Sequence, residues 1–295
     1  KVKKKFIAIT FLLLITFGMI GCGKNQVLKK ENVNETNQEQ ATENKETTEE
    51  QKENTNNNTE EQSQSQIDYI NIAPEEVKIP ILMYHSISDE DPSNNLLVPP
   101  AMFEEQMAWL EANNFTAMNM DEALEAMRTG KVPKRPVVIT FDDGYANNYT
   151  SAFPSLKNHK LKATFFVITD GVDNGYYMSS DNLKEMQEAG MSIENHTANH
   201  LELNNLSKTD AYESIKRAQD YLRNVIGSDG NYLCYPVGKY NDETIQIEEE
   251  LGIKAAVTTQ GGFASINDGL HTLKRVRISP MSIEGFASIF SEYIN

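Results

Sequence analysis

Val137-Val138-Ile139-Thr140-Phe141-Asp142-Asp143-Gly144 reads as a strand that runs into two carboxylates. Five successive β-branched or aromatic residues, with no polar face between them, mark a strand covered on both sides, as in the middle of a parallel sheet. The glycine behind the acids signals a turn. Outward from this stretch, short apolar runs alternate with helical patterns. Strands are expected at Ile79 to Tyr84, Ala163 to Ile168, Met191 to Asn195, Tyr232 to Tyr235, Ile253 to Thr258 and Leu273 to Ile278. Helices are expected at 101–112, 121–127, 145–160, 180–189, 242–251 and 282–293. A further long helix starts at a Ser207/Asp210 capping box and stops at Gly227. This alternation predicts an α/β domain whose parallel sheet is closed or nearly closed into a barrel. Active residues in such folds collect at the C-terminal ends of strands, where His85, Asp142-Asp143, His196 and Pro236-Val237 fall.

Alone, Asp-Asp-Gly is ordinary turn chemistry. His196-Thr197-Ala198-Asn199-His200 changes its meaning, because two histidines four apart can face one metal ion from a helical turn or a tight loop. With one of the carboxylates they make a three-ligand site that leaves positions open for water and substrate, the mark of a catalytic metal. The other carboxylate, kept free, can act as a base. Such a site suits hydrolysis of an amide or ester. Two imidazoles and a carboxylate accept zinc, and also cobalt or nickel.

Thr140-Phe141-Asp142-Asp143-Gly144 and His196-Thr197-Ala198-Asn199-His200 resemble the first two signature motifs of the polysaccharide deacetylase family, also called the NodB-homology domain or carbohydrate esterase family 4. Tyr235-Pro236-Val237-Gly238 is similar to the third. The resemblance implies a distorted (β/α)7-type barrel and metal-dependent removal of acetyl groups from N-acetylhexosamine units of a polysaccharide. It implies Asp142 as general base, Asp143, His196 and His200 as metal ligands, and the Val237 backbone N–H as oxyanion donor. Substrate would meet Tyr145, Tyr235 and Pro236; Tyr176, Tyr177 and Tyr240 also lie in loops near the expected mouth.

Two departures from the family pattern matter. Cys234 stands where the family has an arginine that orients the base, and Arg275 is the expected substitute, with Arg277 on the same strand. The C-terminal Leu-x-His that supplies the catalytic acid is missing in its usual form. Leu82-Met83-Tyr84-His85 resembles the opening strand of the poly-N-acetylglucosamine deacetylase branch and makes His85 the candidate acid, with His271 its rival. Cys234 reads as a small buried side chain, and His159 as a surface histidine near a helix end.

Lys1-Val2-Lys3-Lys4-Lys5, a short apolar run and Met19-Ile20-Gly21-Cys22 resemble a lipoprotein signal over residues 1–21, with Cys22 lipidated; an uncleaved membrane anchor is the alternative. Residues 22–66 are polar, with almost no aliphatic side chains, and read as a disordered tether of roughly 35 Å mean span. The catalytic domain is expected over 67–295, at the extracellular face of the membrane, as a monomer. A net charge of −16 argues against a nucleic-acid partner. Two other functions fit the same residues: a catalytically silent surface glycan-binding lipoprotein, and an O-acetyl esterase of the xylan type.

Overall fold

Seven short strands form a closed parallel barrel. The computed structural model describes residues 67–294, and the signal peptide over 1–21, the tether over 22–66 and lipidation of Cys22 all lie outside the described residues. The barrel strands are β1 (Ile81–Tyr84), β2 (Pro136–Phe141), β3 (Thr164–Val167), β4 (Ser192–Asn195), β5 (Tyr232–Cys234), β6 (Ala255–Gly261) and β7 (Leu273–Arg277). They pair in the order β1-β7-β6-β5-β4-β3-β2. The ring closes where β2 returns to β1, from Ile81 opposite Val138 to Tyr84 opposite Phe141. This is the distorted (β/α)7-type barrel expected from the motifs.

Side chains of a strand alternate between faces, and here the alternation decides what enters the barrel. Val137, Ile139 and Phe141 face outward under the helices together with Phe165, Val167 and Ile193. Val138, Phe166, Tyr232, Cys234, Val257 and Leu273 meet on the opposite face, inside. Carried one step further along β2 and β7, the inward row includes Thr140, Asp142 and Arg275. The outer layer is clamped by rings: Phe141 stacks on Phe165 at 4.6 Å and on Tyr84 at 5.4 Å.

Helices α1 (Pro100–Ala112), α2 (Met120–Thr129), α3 (Phe153–Asn158), α4 (Ser180–Glu188), α5 (Lys208–Ile226), α6 (Asp242–Leu251) and α7 (Ile283–Ile289) complete the alternation. Three helix expectations change. The segment 145–160 opens with a π-turn at Asn148–Ala152, and α3 begins only at Phe153, with Pro154 in the first turn, where its missing N–H costs no bond. The segment 282–293 breaks at Phe290, whose ring packs on Phe115 and Trp109, so Ser291–Ile294 forms a separate turn. The Ser207 box is half made: Ser207 Oγ accepts from the Asp210 N–H, but the Asp210 carboxylate takes the Ser207 hydroxyl instead of its backbone N–H. His159 is not a free surface residue either. Its ring lies between two α1 carboxylates, 2.6 Å from Glu111 and 2.8 Å from Glu104.

Inside the barrel, β4 carries one acid that takes no part in the site. Glu194, 6% exposed, accepts from the Ser192 hydroxyl and the Tyr232 N–H. Burial pushes its pKa up to about 7. Because the folded value lies above the unfolded one, this group favours folding at low pH, and that contribution is lost as pH rises through about 7. Glu194→Gln can still accept from the Tyr232 N–H and, with its amide nitrogen, donate to the Ser192 hydroxyl, without a charge. Its unfolding free energy is expected to lie close to the parent's at pH 4 and to exceed it at pH 8 by on the order of 1–3 kcal/mol. A difference that does not change with pH would contradict this.

Candidate active site

The end of β2 solves the problem set by two neighbouring carboxylates. On an extended backbone Asp142 and Asp143 would point to opposite faces. The chain instead turns left-handed at Asp143 itself (φ 72°) and again at Gly144 (φ 81°). A Cβ at Gly144 would press on Val167 at 3.2 Å, so only glycine fits the second step. Among the described residues, seven non-glycine residues have positive φ, and four of them, Asp143, Thr197, His200 and Val237, belong to this site. Left-handed backbone at the β-branched Thr197 and Val237 costs energy and persists only where surroundings hold it. For Thr197 they do. Its N–H donates to Asn195 Oδ1 at 2.7 Å, and its hydroxyl accepts from the His200 N–H at 3.0 Å.

These turns bring three donors together. Asp143 Oδ1 lies 3.2 Å from His196 Nε2 and 3.3 Å from His200 Nε2. A tetrahedral ion with bonds of about 2.0–2.1 Å needs ligand atoms about 3.3 Å apart, so the set fits such an ion. His196 Nδ1 lies 2.8 Å from the Cys234 carbonyl, which can only accept, so Nδ1 carries a proton and Nε2 is the nitrogen turned toward Asp143. Burial and the neighbouring His196 lower the pKa of His200, which keeps the ring neutral as a ligand must be. His196 is 2% exposed and Asp143 7%. Asp142, His196 and Cys234 also bring donor atoms within 4.8 Å of one another. There, however, the Arg275 guanidinium already supplies the cation, 3.2 Å from Cys234 Sγ.

Arg275 is wholly buried and grips Asp142 with both arms, Nη1 to Oδ1 at 2.7 Å and Nη2 to Oδ2 at 2.8 Å. Its remaining donors go to the Thr258 carbonyl, the Thr140 hydroxyl and the Cys234 sulfur. Burial alone would raise the Asp142 carboxyl; the guanidinium outweighs it and holds the acid well below the usual carboxylate range. Cys234 is small, neutral and fully buried, and so leaves room for a guanidinium that arrives from β7 instead of β5. Arg277, on the same strand, is exposed at its end.

His85 Nε2 lies 3.8 Å from Asp142 Oδ2, and burial lowers the ring's pKa against the pull of both carboxylates. Asn148, from the π-turn, donates to the His85 carbonyl at 2.7 Å and fixes the strand end. His271 goes elsewhere: its Nδ1 bonds the buried Glu248 at 2.6 Å. Val237 sits in a left-handed turn with Gly238, and its side chain is 55% exposed. Tyr235 and Pro236, expected to meet substrate, are buried instead. The Tyr235 hydroxyl donates to the His271 carbonyl and its ring stacks on Tyr240 at 4.5 Å, so it supports the turn from below and covers a face of Tyr240. Burial and the neighbouring Asp143 carboxylate push the pKa of the Tyr145 phenol up.

The polysaccharide deacetylase family model matches residues 129–256, which hold both the Asp-Asp-Gly and the His-x-x-x-His motifs. YxkH of Bacillus subtilis, a relative whose name places it among the polysaccharide deacetylases, is 40% identical over 218 residues, 74% of this chain and 76% of its own. The poly-beta-1,6-N-acetyl-D-glucosamine N-deacetylase of Staphylococcus epidermidis is 28% identical, across 69% of this chain and 80% of that protein. Among solved structures, the Streptococcus pyogenes deacetylase PplD in complex with acetate superposes with a TM-score of 0.70 at 36% identity, covering 73% of this chain and 99% of its own.

Proposed function

Because the chain belongs to the polysaccharide deacetylase family, we propose that it hydrolyses N-acetyl groups on N-acetylhexosamine units of a cell-wall or extracellular polysaccharide, peptidoglycan or poly-N-acetylglucosamine. One observation carries this reading. Asp142 stands ionised and gripped by Arg275 beside a three-donor set that it does not join. Binding sugar would need no such separate carboxylate; activating water does.

Asp143, His196 and His200 would hold the divalent ion, zinc first and cobalt or nickel by the same donors. When bound it supplies Lewis-acid chemistry to water and to the acetamide carbonyl. Asp142 accepts the proton of the attacking water, and Arg275 keeps its two oxygens aimed into the site. The Val237 N–H faces the charge that develops on the carbonyl oxygen, a contact made only as that charge appears. His85, next to Asp142, carries the proton on to the amine nitrogen as the C–N bond breaks, leaving acetate and a free amine. By the same proposal the domain works as a monomer outside the cytoplasm, held to the membrane through a lipid on Cys22.

Acetate release tests this, with N-acetylglucosamine oligomers and poly-N-acetylglucosamine set against acetylated xylan in the presence of divalent metal. Release from the N-acetylated sugars well above xylan is expected. Release from xylan alone would make the protein an esterase, and sugar binding with no release from any polymer would make it a glycan-binding protein.

A further inference from the structure

The most exposed large apolar side chain among the described residues is Tyr176, at 65%. It stands on a rigid support. The Ala146 N–H donates to the Tyr176 carbonyl and the Met178 N–H to that of Gly144, so the segment is tied to the turn that carries the two aspartates. Asn174 Oδ1 accepts from both the Tyr176 and Tyr177 N–H groups. Tyr177 stacks on Tyr145 at 5.6 Å, and its ring fills the space a Cβ at Gly171 would need. Tyr176 meets both rings edge-on, at 5.5 Å from Tyr145 and 5.1 Å from Tyr177. Tyr145 in turn stands two positions from Asp143 along the same turn. Tyr176 thus packs edge-on against two rings while most of its own surface stays in water, on a backbone tied to the turn that carries a proposed metal ligand.

We propose that Tyr176, backed by Tyr145 and Tyr177, is a platform for a pyranose ring adjoining the unit being deacetylated, an inference that rests on the deacetylase reading of the site. A hexose presents a flat C–H face that an aromatic ring can cover, while its equatorial hydroxyls stay in water. Tyrosine offers that area at little cost in side-chain entropy. The platform then favours polymer over monomer, because a single sugar in the reacting position does not reach it.

The test is chain length. Chitooligosaccharides of one to five units are titrated into chelator-treated protein, and KM is measured on the metal-loaded enzyme, for the parent and for Tyr176→Ala, Tyr176→Phe and Tyr176→Trp. For Tyr176→Ala, binding of the longer oligomers is expected to weaken about tenfold, and binding of the monomer less than twofold. Tyr176→Phe and Tyr176→Trp should keep the parent's length dependence. An equal loss at every length, or none at five units, would overturn the platform. If the parent deacetylates nothing yet its oligomer affinity shows this length-dependent loss, the platform stands and the catalytic reading fails.

Discussion

Asp142→Asn is expected to lower the turnover of acetylated oligomer by about 10²- to 10⁴-fold, the range over which a positioned base acts. The same change should weaken the fold. Arg275 has no exposure and spends two of its donors on this one carboxylate. An asparagine can still accept from Nη1, but its amide nitrogen would face Nη2, donor against donor, beside a buried charge with no counter-charge. Breaking a buried pair in this way costs about 3–5 kcal/mol. Kinetics therefore belong well below the variant's melting temperature, with bound metal measured on the same sample. Metal retained with turnover lost marks Asp142 as base rather than ligand. His200→Ala makes the complementary case: its side chain is 33% exposed, so the fold should survive while metal and turnover are both lost. Turnover of Asp142→Asn within tenfold of the parent would remove the base from the mechanism.

Arg275→Met is the second large effect, and its sign follows from the charge it removes. Arg275 holds Asp142 ionised against burial. Without it burial prevails, the Asp142 pKa rises, and the fraction able to accept a proton falls at low and neutral pH. The acid limb of the pH–rate profile should move upward by at least one unit, with the deepest loss at pH 6 and partial recovery above pH 8. Arg275→Lys keeps the charge but trades a planar fork for a point donor. It should leave the limb close to its original position and lower the rate, because the two carboxylate oxygens are no longer both held. A profile whose limb is the same in Arg275→Met and the parent would show that the pair is architectural only.

How far these residues could be read beforehand depended on whether their chemistry was local. Asp142-Asp143-Gly144 and His196 to His200 were legible because turn and ligand spacing lie within five positions. The barrel was legible because its strands are short apolar runs separated by helical patterns. Arg275 is legible only as one of two arginines on the last strand, because residues 273, 275 and 277 share a face and parity does not separate it from Arg277. What parity could not supply was the partner, since the Asp142–Arg275 contact spans 133 positions and depends on Cys234 being small. Tyr235 and Pro236 lie buried below their turn, which its motif does not reveal for a related reason. A motif names the residues of a turn without saying which lie above it and which below. His159, Glu194 and the Glu248–His271 pair are tertiary in origin, each set by side chains far away in sequence, and nothing near them in the chain announces burial.

The proposed ligand set is most directly tested by metal removal and return on the parent protein, with acetate release from an N-acetylglucosamine oligomer as readout. Chelation is expected to abolish release, and one equivalent of zinc, cobalt or nickel per chain to restore it, whereas His200→Ala should bind less than one equivalent and recover nothing. Undiminished acetate release by fully chelated protein would contradict a catalytic metal at Asp143, His196 and His200.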